Sequence, residues 1–289
     1  MTNIAFIGLG IMGNPMAVHL ANAGHTVAGF DRSPERADEL VAAGGRAATS
    51  LADAVKDADV VAVMVPDSPD VQDVLDGEDR VFQLAETGTL IIDFSSIRPD
   101  VTQQLAEQAR ALGFRMLDAP VSGGGAAAEA GTLAIMAGGS TSAFDRAHPL
   151  LSCYAKTIVH IGPSGAGQVA KACNQICTIV NQLGAAEAML LAERAGVDPR
   201  AVKEALMGGF AASRMLDLQA PKMIAREFEG KVESRLHHKD IHIVLELARK
   251  YGIELPASAA AAQVLDTLQQ RGGARQDSAA IITVLDSPR

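Results

Sequence analysis

A lysine and an asparagine stand one helical turn apart in an apolar segment and could take part in proton transfer. The stretch from Gly167 to Gln175 reads GQVAKACNQ, so Lys171 and Asn174 are three residues apart among Ala and Val. On a helix this spacing places both side chains on one face. A lysine in apolar surroundings can act as an acid or a base, whereas a lysine at a helix surface extends its ammonium into water. The residues alone leave both interpretations open.

A serine followed by three consecutive glycines forms a second candidate site. The segment Asp118–Gly125 reads DAPVSGGG and follows an expected strand. Exposed backbone N–H groups in such a segment, together with the hydroxyl of Ser122, can bind an anion. The segment is therefore a candidate carboxylate-binding site.

The N-terminal segment carries a glycine motif that is typical of dinucleotide binding. An apolar strand runs into GLGIMG, in which Gly8, Gly10 and Gly13 have GxGxxG spacing. Glycines there let the backbone approach a pyrophosphate, and the start of the following helix supplies N–H groups for the anion. The motif alone is weak, because a tight strand-to-helix turn also uses glycine, but here it lies between a strand and a helix. We therefore expect the whole turn, including Ile11, to bind a dinucleotide.

An acidic residue ends the next expected strand, about 20 residues after the glycines. Asp31 can accept hydrogen bonds from the adenosine ribose and repels a 2′-phosphate, which favours NAD over NADP. The neighbouring Arg32 and Ser33 could instead contact that phosphate. The sequence therefore predicts NAD as the cofactor and leaves NADP open.

Composition and charge disfavour several other classes of protein. The 289 residues carry a net charge of −9, whereas binding to nucleic acid requires clustered Lys and Arg. No apolar run reaches the roughly 18 residues needed to span a bilayer, and the N-terminal residues do not resemble a signal peptide. We expect a cytoplasmic protein that binds neither nucleic acid nor a membrane.

The cysteines and histidines do not predict a metal site. Three cysteines form no disulfide framework, and Cys173 and Cys177, one helical turn apart, are expected to be small buried side chains. His238 and His242 have a spacing that is typical of zinc ligands, but the sequence shows neither an HExxH glutamate nor a third ligand beside them. The sequence therefore predicts no metal.

The first half of the chain alternates short apolar runs with amphipathic stretches, which indicates an α/β fold with a mostly parallel sheet. The expected strands are Ile4–Ile7, Thr26–Phe30, Val60–Val65, Leu90–Asp93, Met116–Leu117, Leu133–Met136 and Thr157–His160. Helices are expected to begin near Met12, Ser33, Ser50, Pro69, Arg98 and Thr141. Val65, Pro66 and Ser96 follow strands at the edge where such sheets bind ligands.

The second half is expected to be entirely helical. Gly167–Arg194 reads as one long helix, and further helices are expected at Pro199–Met207, Ser213–Arg226, His237–Tyr251, Pro256–Gln270 and Asp277–Leu285. We expect two domains: residues 1–163 bind the dinucleotide, and residues 164–289 form an all-helical domain built on the long helix.

Together, the motifs resemble those of one enzyme family. GLGIMGNPM, DAPVSGG and GxxxKxxN occur here in the order and at the spacing found in the β-hydroxyacid dehydrogenases, which include the 3-hydroxyisobutyrate dehydrogenases. The resemblance covers essentially the whole chain. It implies a Rossmann-like domain followed by a helical domain that dimerises and closes the active-site cleft, so a homodimer or homotetramer is expected.

The resemblance also implies roles for individual residues. Lys171 would be the catalytic acid/base, and Ser122, Gly123 and Gly124 would bind the substrate carboxylate. Residues implied to surround the cofactor are Met12, Val65, Pro66, Ser96 and Lys239. Many members carry Asn four residues after the lysine, where this chain has Gln175, with Asn174 one place earlier. Either amide could therefore serve the substrate or the lysine.

Three later segments are most similar to the tartronate semialdehyde reductases of that family: Leu206–Ser213, Leu236–Asp240 and Gln276–Ala279. The implied reaction transfers hydride between NAD(P)H and a small carboxylate-bearing aldehyde, converting tartronate semialdehyde to D-glycerate. A 3-hydroxyisobutyrate dehydrogenase would use the same Lys171 and Ser122 and is an alternative. An alternative of another class is a cofactor-binding module without catalysis. Lys171 counts against the related imine-reducing enzymes, which lack it.

Overall fold

The computed structural model describes residues 1–230 and 232–286. The chain forms two compact units, Met1–Lys171 and Ala172–Arg289, and one helix, Ala166–Arg194, runs across the division. The domains expected from the sequence, 1–163 and 164–289, remain a prediction. Within the second of these, residues 231 and 287–289 lie outside the described residues.

The described residues of the first unit contain a nine-stranded sheet. Its strands are β1 (Asn3–Ile7), β2 (Thr26–Phe30), β3 (Arg46–Ala47), β4 (Val60–Val63), β5 (Leu90–Asp93), β6 (Arg115–Asp118), β7 (Val121–Ser122), β8 (Leu133–Gly139) and β9 (Ala155–Gly162). They lie in the order β3-β2-β1-β4-β5-β6-β8-β7, and β9 pairs with β8. The pairs from β3 to β6 are parallel, whereas β8 is antiparallel to β6 and β7. The predicted, mostly parallel sheet is confirmed.

Both faces of this sheet are buried. In β1, Ile4 and Phe6 pack into the core on one face, and Ala5 and Ile7 pack into the core on the other. The strands β4 and β5 follow the same alternation. This double burial explains why these strands are continuous apolar runs rather than alternating ones.

The helices of the first unit lie close to the predicted positions. They are α1 (Gly13–Asn22), α2 (Asp38–Ala42), α3 (Leu51–Val55), α4 (Ser68–Leu75), α5 (Val81–Leu84), α6 (Pro99–Ala111), α7 (Gly124–Glu129) and α8 (Thr141–Leu151). The start expected at Ser33 is a 3₁₀ turn, Pro34–Ala37, before α2, and the Ser33 side chain makes no capping hydrogen bond. The helices α5 and α7 were not predicted, since each is too short to show a helical period and neither has a capping side chain at its start.

In the described residues of the second unit, the regular secondary structure is helical, apart from one isolated bridge between Glu233 and Asp277. Beyond α9 (Ala166–Arg194), its helices are α10 (Pro199–Met207), α11 (Arg214–Ala225), α12 (Ser234–Tyr251), α13 (Pro256–Gln270) and α14 (Ile281–Leu285). The all-helical prediction is confirmed. None of the helices in the described ranges is long and apolar enough to cross a membrane.

Two details of the second unit correct the sequence analysis. The helix expected from Asp277 begins as a 3₁₀ turn, Ser278–Ala280, because the Asp277 side chain accepts a hydrogen bond from the N–H of Ala279. The expectation that Cys173 and Cys177 are buried is wrong, since both are exposed. The apolar residues of α9 that enter the core, such as Ala172, Ile176 and Ile179, lie on another face of the helix.

Candidate active site

The turn between β1 and α1 requires glycine at two of its three motif positions. Gly8 has φ +93°, and a Cβ built there would lie 2.2 Å from the carbonyl oxygen of Met64. A Cβ on Gly13 would lie 1.9 Å from the carbonyl oxygen of Gly8. At Gly10, by contrast, no atom lies within 4 Å of an added Cβ. Gly8 and Gly13 therefore make the turn tight, while Gly10 leaves open space beside the backbone where a pyrophosphate can approach.

The start of α1 suits an anion. Met12 is the N-cap residue, and no acidic side chain lies in the first helical turn. The N–H groups at this end carry the positive end of the helix dipole. The turn and the helix start therefore fit the pyrophosphate of a dinucleotide cofactor.

Asp31 at the end of β2 is tied to the same turn. Its Oδ2 accepts a hydrogen bond of 2.8 Å from the N–H of Leu9, and its Oδ1 accepts one of 2.9 Å from the N–H of Ser33. The guanidinium of Arg36 lies 3.3 Å from Oδ1. The sequence predicts that Asp31 binds the ribose but gives no signal for Arg36, which neutralises part of the Asp31 charge. The side chain of Arg32 is 85% exposed and 4.0 Å from Asp70, so it is not tied to Asp31.

Hydrogen bonds connect the ends of β4 and β5 next to the glycine turn between β1 and α1. The N–H of Val65 donates to Oγ of Ser95 at 3.0 Å, and the N–H of Ser95 donates to Oδ1 of Asp93 at 2.9 Å. Val65 Cγ1 lies 3.2 Å from the position of an added Cβ on Gly8. The structure therefore brings Val65 to the glycine turn. Pro66 is exposed and Ser96 is half-buried, while the buried Ser95 holds the two loops together.

The segment from Ser122 to Gly125 lies against the glycine turn. Ser122 is half-buried in β7, opposite Ala134 of β8. Gly123 and Gly124 have φ +132° and +68°, and α7 begins at Gly124. A Cβ on the buried Gly125 would lie 2.8 Å from Cγ2 of Ile11. The candidate carboxylate-binding and cofactor-binding segments are thus adjacent.

Lys171 lies beside the serine segment. Its ammonium donates a hydrogen bond of 2.8 Å to the backbone carbonyl of Val121, and its side chain is half-buried. Because Val121 directly precedes Ser122, the lysine is near the residue expected to hold a substrate carboxylate. The structure therefore brings these two sequence-predicted residues together within the first unit.

Two buried residues that the sequence analysis assigned no role fix the first turn of α9. The side chain of Asp118 accepts hydrogen bonds from the N–H of Gly165 at 2.8 Å and of Gln168 at 3.0 Å. Gln168 in turn donates through Nε2 to the carbonyl of Ser95 and accepts through Oε1 from the N–H of Ile97. Burial raises the pKa of Asp118, and the backbone N–H donors oppose this only in part. Asp118 and Gln168 thereby position the helix that carries Lys171.

The two amide residues that follow the lysine, Asn174 and Gln175, have different surroundings in the second unit. Gln175 is buried and donates through Nε2 to Oδ2 of Asp240 on α12. Asn174 is half-buried, and its Nδ2 donates to Oε1 of Gln175 at 2.8 Å and to Oγ1 of Thr178 at 3.3 Å. The ammonium of Lys239 lies 3.0 Å from Oδ1 of Asp240. Gln175 therefore connects two helices, and Asn174 is oriented by Gln175.

The histidine pair on α12 has a third neighbour that the sequence analysis did not find. Nε2 of His238 and Nε2 of His242 each lie 2.8 Å from Oδ1 of Asp266 on α13. The premise that no third ligand accompanies the pair is wrong. Asp266 follows His242 by 24 residues, so no local spacing motif includes it.

Two family models together match nearly the whole chain. A family model described as the NAD binding domain of 6-phosphogluconate dehydrogenase matches residues 3–162. A second, described as NAD-binding of NADP-dependent 3-hydroxyisobutyrate dehydrogenase, matches residues 165–285. The matched segments and the glycine turn together support NAD as the cofactor, with NADP open.

Named relatives match over nearly their whole length. The chain is 40% identical to 2-hydroxy-3-oxopropionate reductase of Escherichia coli over 283 residues, which are 98% of this chain and 97% of that protein. It is 37% identical to NAD-dependent L-serine dehydrogenase of Pseudomonas aeruginosa over 99% of this chain and 98% of that one. A crystal structure of 3-hydroxyisobutyrate dehydrogenase from Salmonella typhimurium superposes with a TM-score of 0.92 at 29% identity, covering 98% of this chain and 100% of that one. The chain therefore belongs to the β-hydroxyacid dehydrogenase family and is an NAD(P)-dependent oxidoreductase.

Proposed function

We propose that the chain reduces tartronate semialdehyde to D-glycerate with NADH, using Lys171 as the acid/base group. The observation that carries this proposal is the hydrogen bond of 2.8 Å from the Lys171 ammonium to the carbonyl of Val121, next to Ser122. It puts a proton donor beside a segment suited to a carboxylate, and the glycine turn lies against the same segment. A small acid with an aldehyde close to its carboxylate fits that arrangement.

The proposed chemistry needs one hydride and one proton. When bound, the nicotinamide supplies the hydride to the aldehyde carbon. The Lys171 ammonium donates a proton to the carbonyl oxygen as the C–O double bond becomes single, so the product is a primary alcohol. In the reverse direction, neutral Lys171 accepts the proton of the hydroxyl group. General acid–base catalysis of this kind contributes about 10²- to 10⁴-fold to the rate.

The remaining candidate residues would bind and orient the substrate. The hydroxyl of Ser122 and the N–H groups of Gly123 and Gly124 would hold the carboxylate, which fixes the distance to the reacting carbon. Asn174 follows Lys171 by one helical turn and is half-buried, which supports a contact with the substrate. Gln175 is buried against Asp240 and would act through Asn174 rather than on the substrate.

The remaining cofactor assignments rest on position and resemblance. We propose that Gly8, Gly10, Ile11, Met12 and Gly13 surround the pyrophosphate and that Asp31 binds the adenosine ribose. Other residues proposed to contact the cofactor are Arg32, Ser33, Val65, Pro66, Ser96 and Lys239. No metal takes part in this reaction scheme.

The choice of substrate rests on the relatives. The Escherichia coli 2-hydroxy-3-oxopropionate reductase, at 40% identity, supports tartronate semialdehyde as the substrate, because the two names denote the same compound. The superposition with the Salmonella typhimurium dehydrogenase, with a TM-score of 0.92, supports 3-hydroxyisobutyrate as the second candidate substrate. Tartronate semialdehyde and methylmalonate semialdehyde, the aldehyde that corresponds to 3-hydroxyisobutyrate, differ only in that one carries a hydroxyl where the other carries a methyl group. A pocket that hydrogen-bonds the hydroxyl would therefore reject the methyl compound strongly.

Organisation and location are also proposals. The matches of the two family models, to residues 3–162 and 165–285, support domains at 1–163 and 164–289. The family resemblance supports a homodimer or homotetramer, which light scattering of the purified protein would measure. A cytoplasmic location remains a prediction.

A matrix of substrates and cofactors tests the proposal. The purified protein is assayed with tartronate semialdehyde and with methylmalonate semialdehyde, each with NADH and with NADPH. Among the four combinations, we expect tartronate semialdehyde with NADH to give the highest kcat/KM. A preference for the methyl compound would assign the chain to 3-hydroxyisobutyrate, and turnover of neither aldehyde would contradict both assignments. Ser122→Ala should mainly raise KM for the preferred aldehyde, because the serine binds the substrate rather than moving a proton.

A further inference from the structure

Two histidines and an aspartate form a compact cluster on two helices of the second unit. His238 and His242 are one turn apart on α12, and their rings are 4.6 Å apart between centroids. Nε2 of each ring lies 2.8 Å from the same oxygen, Oδ1 of Asp266 on α13. The three nearest ligand atoms all lie within 4.8 Å of one another.

The ligand types and their separation suit a borderline-soft divalent ion. Imidazole nitrogen and carboxylate oxygen bind Zn²⁺ at about 2.0–2.2 Å, so two ligand atoms of a tetrahedral site are about 3.3 Å apart. The distances of 2.8 Å from Asp266 to each histidine would have to open by about half an ångström to admit the ion. Such a change is within reach of side-chain rotation alone, because the backbone of α12 and α13 already presents the three groups to one point.

Solvent can reach the cluster, so an ion can enter and complete its coordination with water. The side chains of His238, His242 and Asp266 are 31%, 41% and 39% exposed. A site with three protein ligands and one water is a common arrangement for zinc. Mg²⁺ and Ca²⁺ prefer oxygen ligands, so a cluster with two imidazoles discriminates against them.

We propose that His238, His242 and Asp266 bind a divalent transition-metal ion of the zinc class. The ion joins α12 to α13 and replaces the two hydrogen bonds that Asp266 now accepts. Because it binds the folded arrangement and not the unfolded chain, it stabilises the helical unit. The proposal is independent of the substrate and cofactor assignments, since none of its residues is assigned to them.

Calorimetric titration of the protein with zinc chloride tests the proposal. For this experiment the protein is prepared without an affinity tag, treated with a chelator and dialysed. Magnesium chloride is titrated as the control. One saturable zinc site per chain and no magnesium binding are expected. When the free zinc concentration is about a hundred times the measured Kd, the equilibrium constant for unfolding should fall about a hundredfold.

Variants identify the ligands. His238→Asn, His242→Asn and Asp266→Asn should each weaken zinc binding about tenfold or more, since even the loss of a group that only orients a ligand costs that much. His148→Asn, which removes an exposed histidine from α8, should not change the affinity for zinc. The double variant Cys173→Ser, Cys177→Ser should also bind zinc normally, which excludes the two exposed thiols. Circular dichroism confirms that each variant is folded.

Three results of the binding measurements would overturn the proposal. They are the absence of saturable zinc binding up to millimolar concentration, unchanged affinity in the three ligand variants, and loss of binding in the cysteine double variant. A thermal midpoint that rises equally with zinc in the wild type and in Asp266→Asn would also contradict it.

Discussion

The buried side chain of Asp118 accepts a hydrogen bond of 3.0 Å from the backbone N–H of Gln168, three residues before Lys171. It also accepts one from the N–H of Gly165, and the Gln168 side chain binds the β5 loop at Ser95. These contacts connect the end of β6 and the β5 loop to the first turn of α9. The direction in which Lys171 leaves the helix is therefore set by groups that take no part in the reaction.

Replacing Asp118 by Asn should lower both stability and turnover. The amide offers one acceptor oxygen where the carboxyl offers two, so its NH₂ group would face a backbone N–H of Gly165 or Gln168. Leaving such a buried donor unsatisfied costs about 1–3 kcal/mol. A displaced α9 turn should reduce kcat by about ten- to a hundredfold. Urea unfolding and steady-state kinetics measure the two effects.

Asp145→Asn is the matched control for this variant, because Asp145 is exposed on α8. Its free energy of unfolding should stay within about 0.5 kcal/mol of the wild type. Equal stability and equal kcat in Asp118→Asn and Asp145→Asn would show that Asp118 does not position the helix.

The stability contributed by Asp118 should depend on pH. Burial raises its pKa above the ordinary value of 3.8, and the N–H donors of Gly165 and Gln168 oppose this only in part. Folding therefore disfavours ionisation, and the free energy of unfolding falls as the pH rises from 3.8 through the raised pKa. Asp118→Asn lacks this ionisation, so the advantage of the wild type over the variant should shrink as the pH rises above 3.8. Urea unfolding of both proteins across this range would contradict the account if the advantage grew.

Gly10→Ala should impair cofactor binding without unfolding the protein. No atom lies within 4 Å of an added Cβ at Gly10, so the free chain accommodates it. The methyl group would occupy the space that a pyrophosphate needs, and Kd for NADH should rise about tenfold or more. Gly13→Ala is the contrasting variant, because its Cβ would meet the carbonyl oxygen of Gly8 and lower stability as well. NADH fluorescence titration and thermal unfolding separate the two, and an unchanged Kd for Gly10→Ala would place the cofactor elsewhere.

Asp31→Asn should shift the cofactor preference toward NADPH. The change removes a negative charge that repels a 2′-phosphate, and it leaves Arg36, now 3.3 Å from Oδ1, without its ionic partner. The ratio of kcat/KM with NADPH to that with NADH should rise about tenfold or more, since each 1.4 kcal/mol of relieved repulsion corresponds to a factor of ten. Arg36→Gln in the Asp31→Asn background should reverse part of the gain. A ratio that does not change in Asp31→Asn would show that Asp31 does not face the ribose.

The elements that could be predicted from the sequence are those with a strong local signal. Strands β2 and β5 have the predicted ends. All four residues of β5 are buried, and so are the three central residues of β2, which gives each strand a continuous apolar signal. The two-residue strands Arg46–Ala47 and Val121–Ser122 could not be predicted, since two residues show no periodicity. Their positions depend on pairing with distant strands.

The same distinction applies to the candidate site. Ser122 and the glycines could be identified as candidates from their residue types and spacing. The role of Lys171 came only from the family resemblance, because the residues alone left a surface lysine equally open. The role of Gln168 could not be identified, because its side chain binds Ser95, 73 residues away in sequence. Similarly, a search for local motifs finds His238 and His242 but not Asp266, which only the packing of α13 against α12 brings to them.

The turnover of Lys171→Ala, measured at saturating NADH and aldehyde, tests the central claim most directly. Removal of the acid/base group should lower kcat by about 10²- to 10⁴-fold. Binding of NADH should persist, because the glycine turn and Asp31 are untouched. A kcat close to that of the wild type would contradict the assignment of Lys171 as the group that transfers the proton.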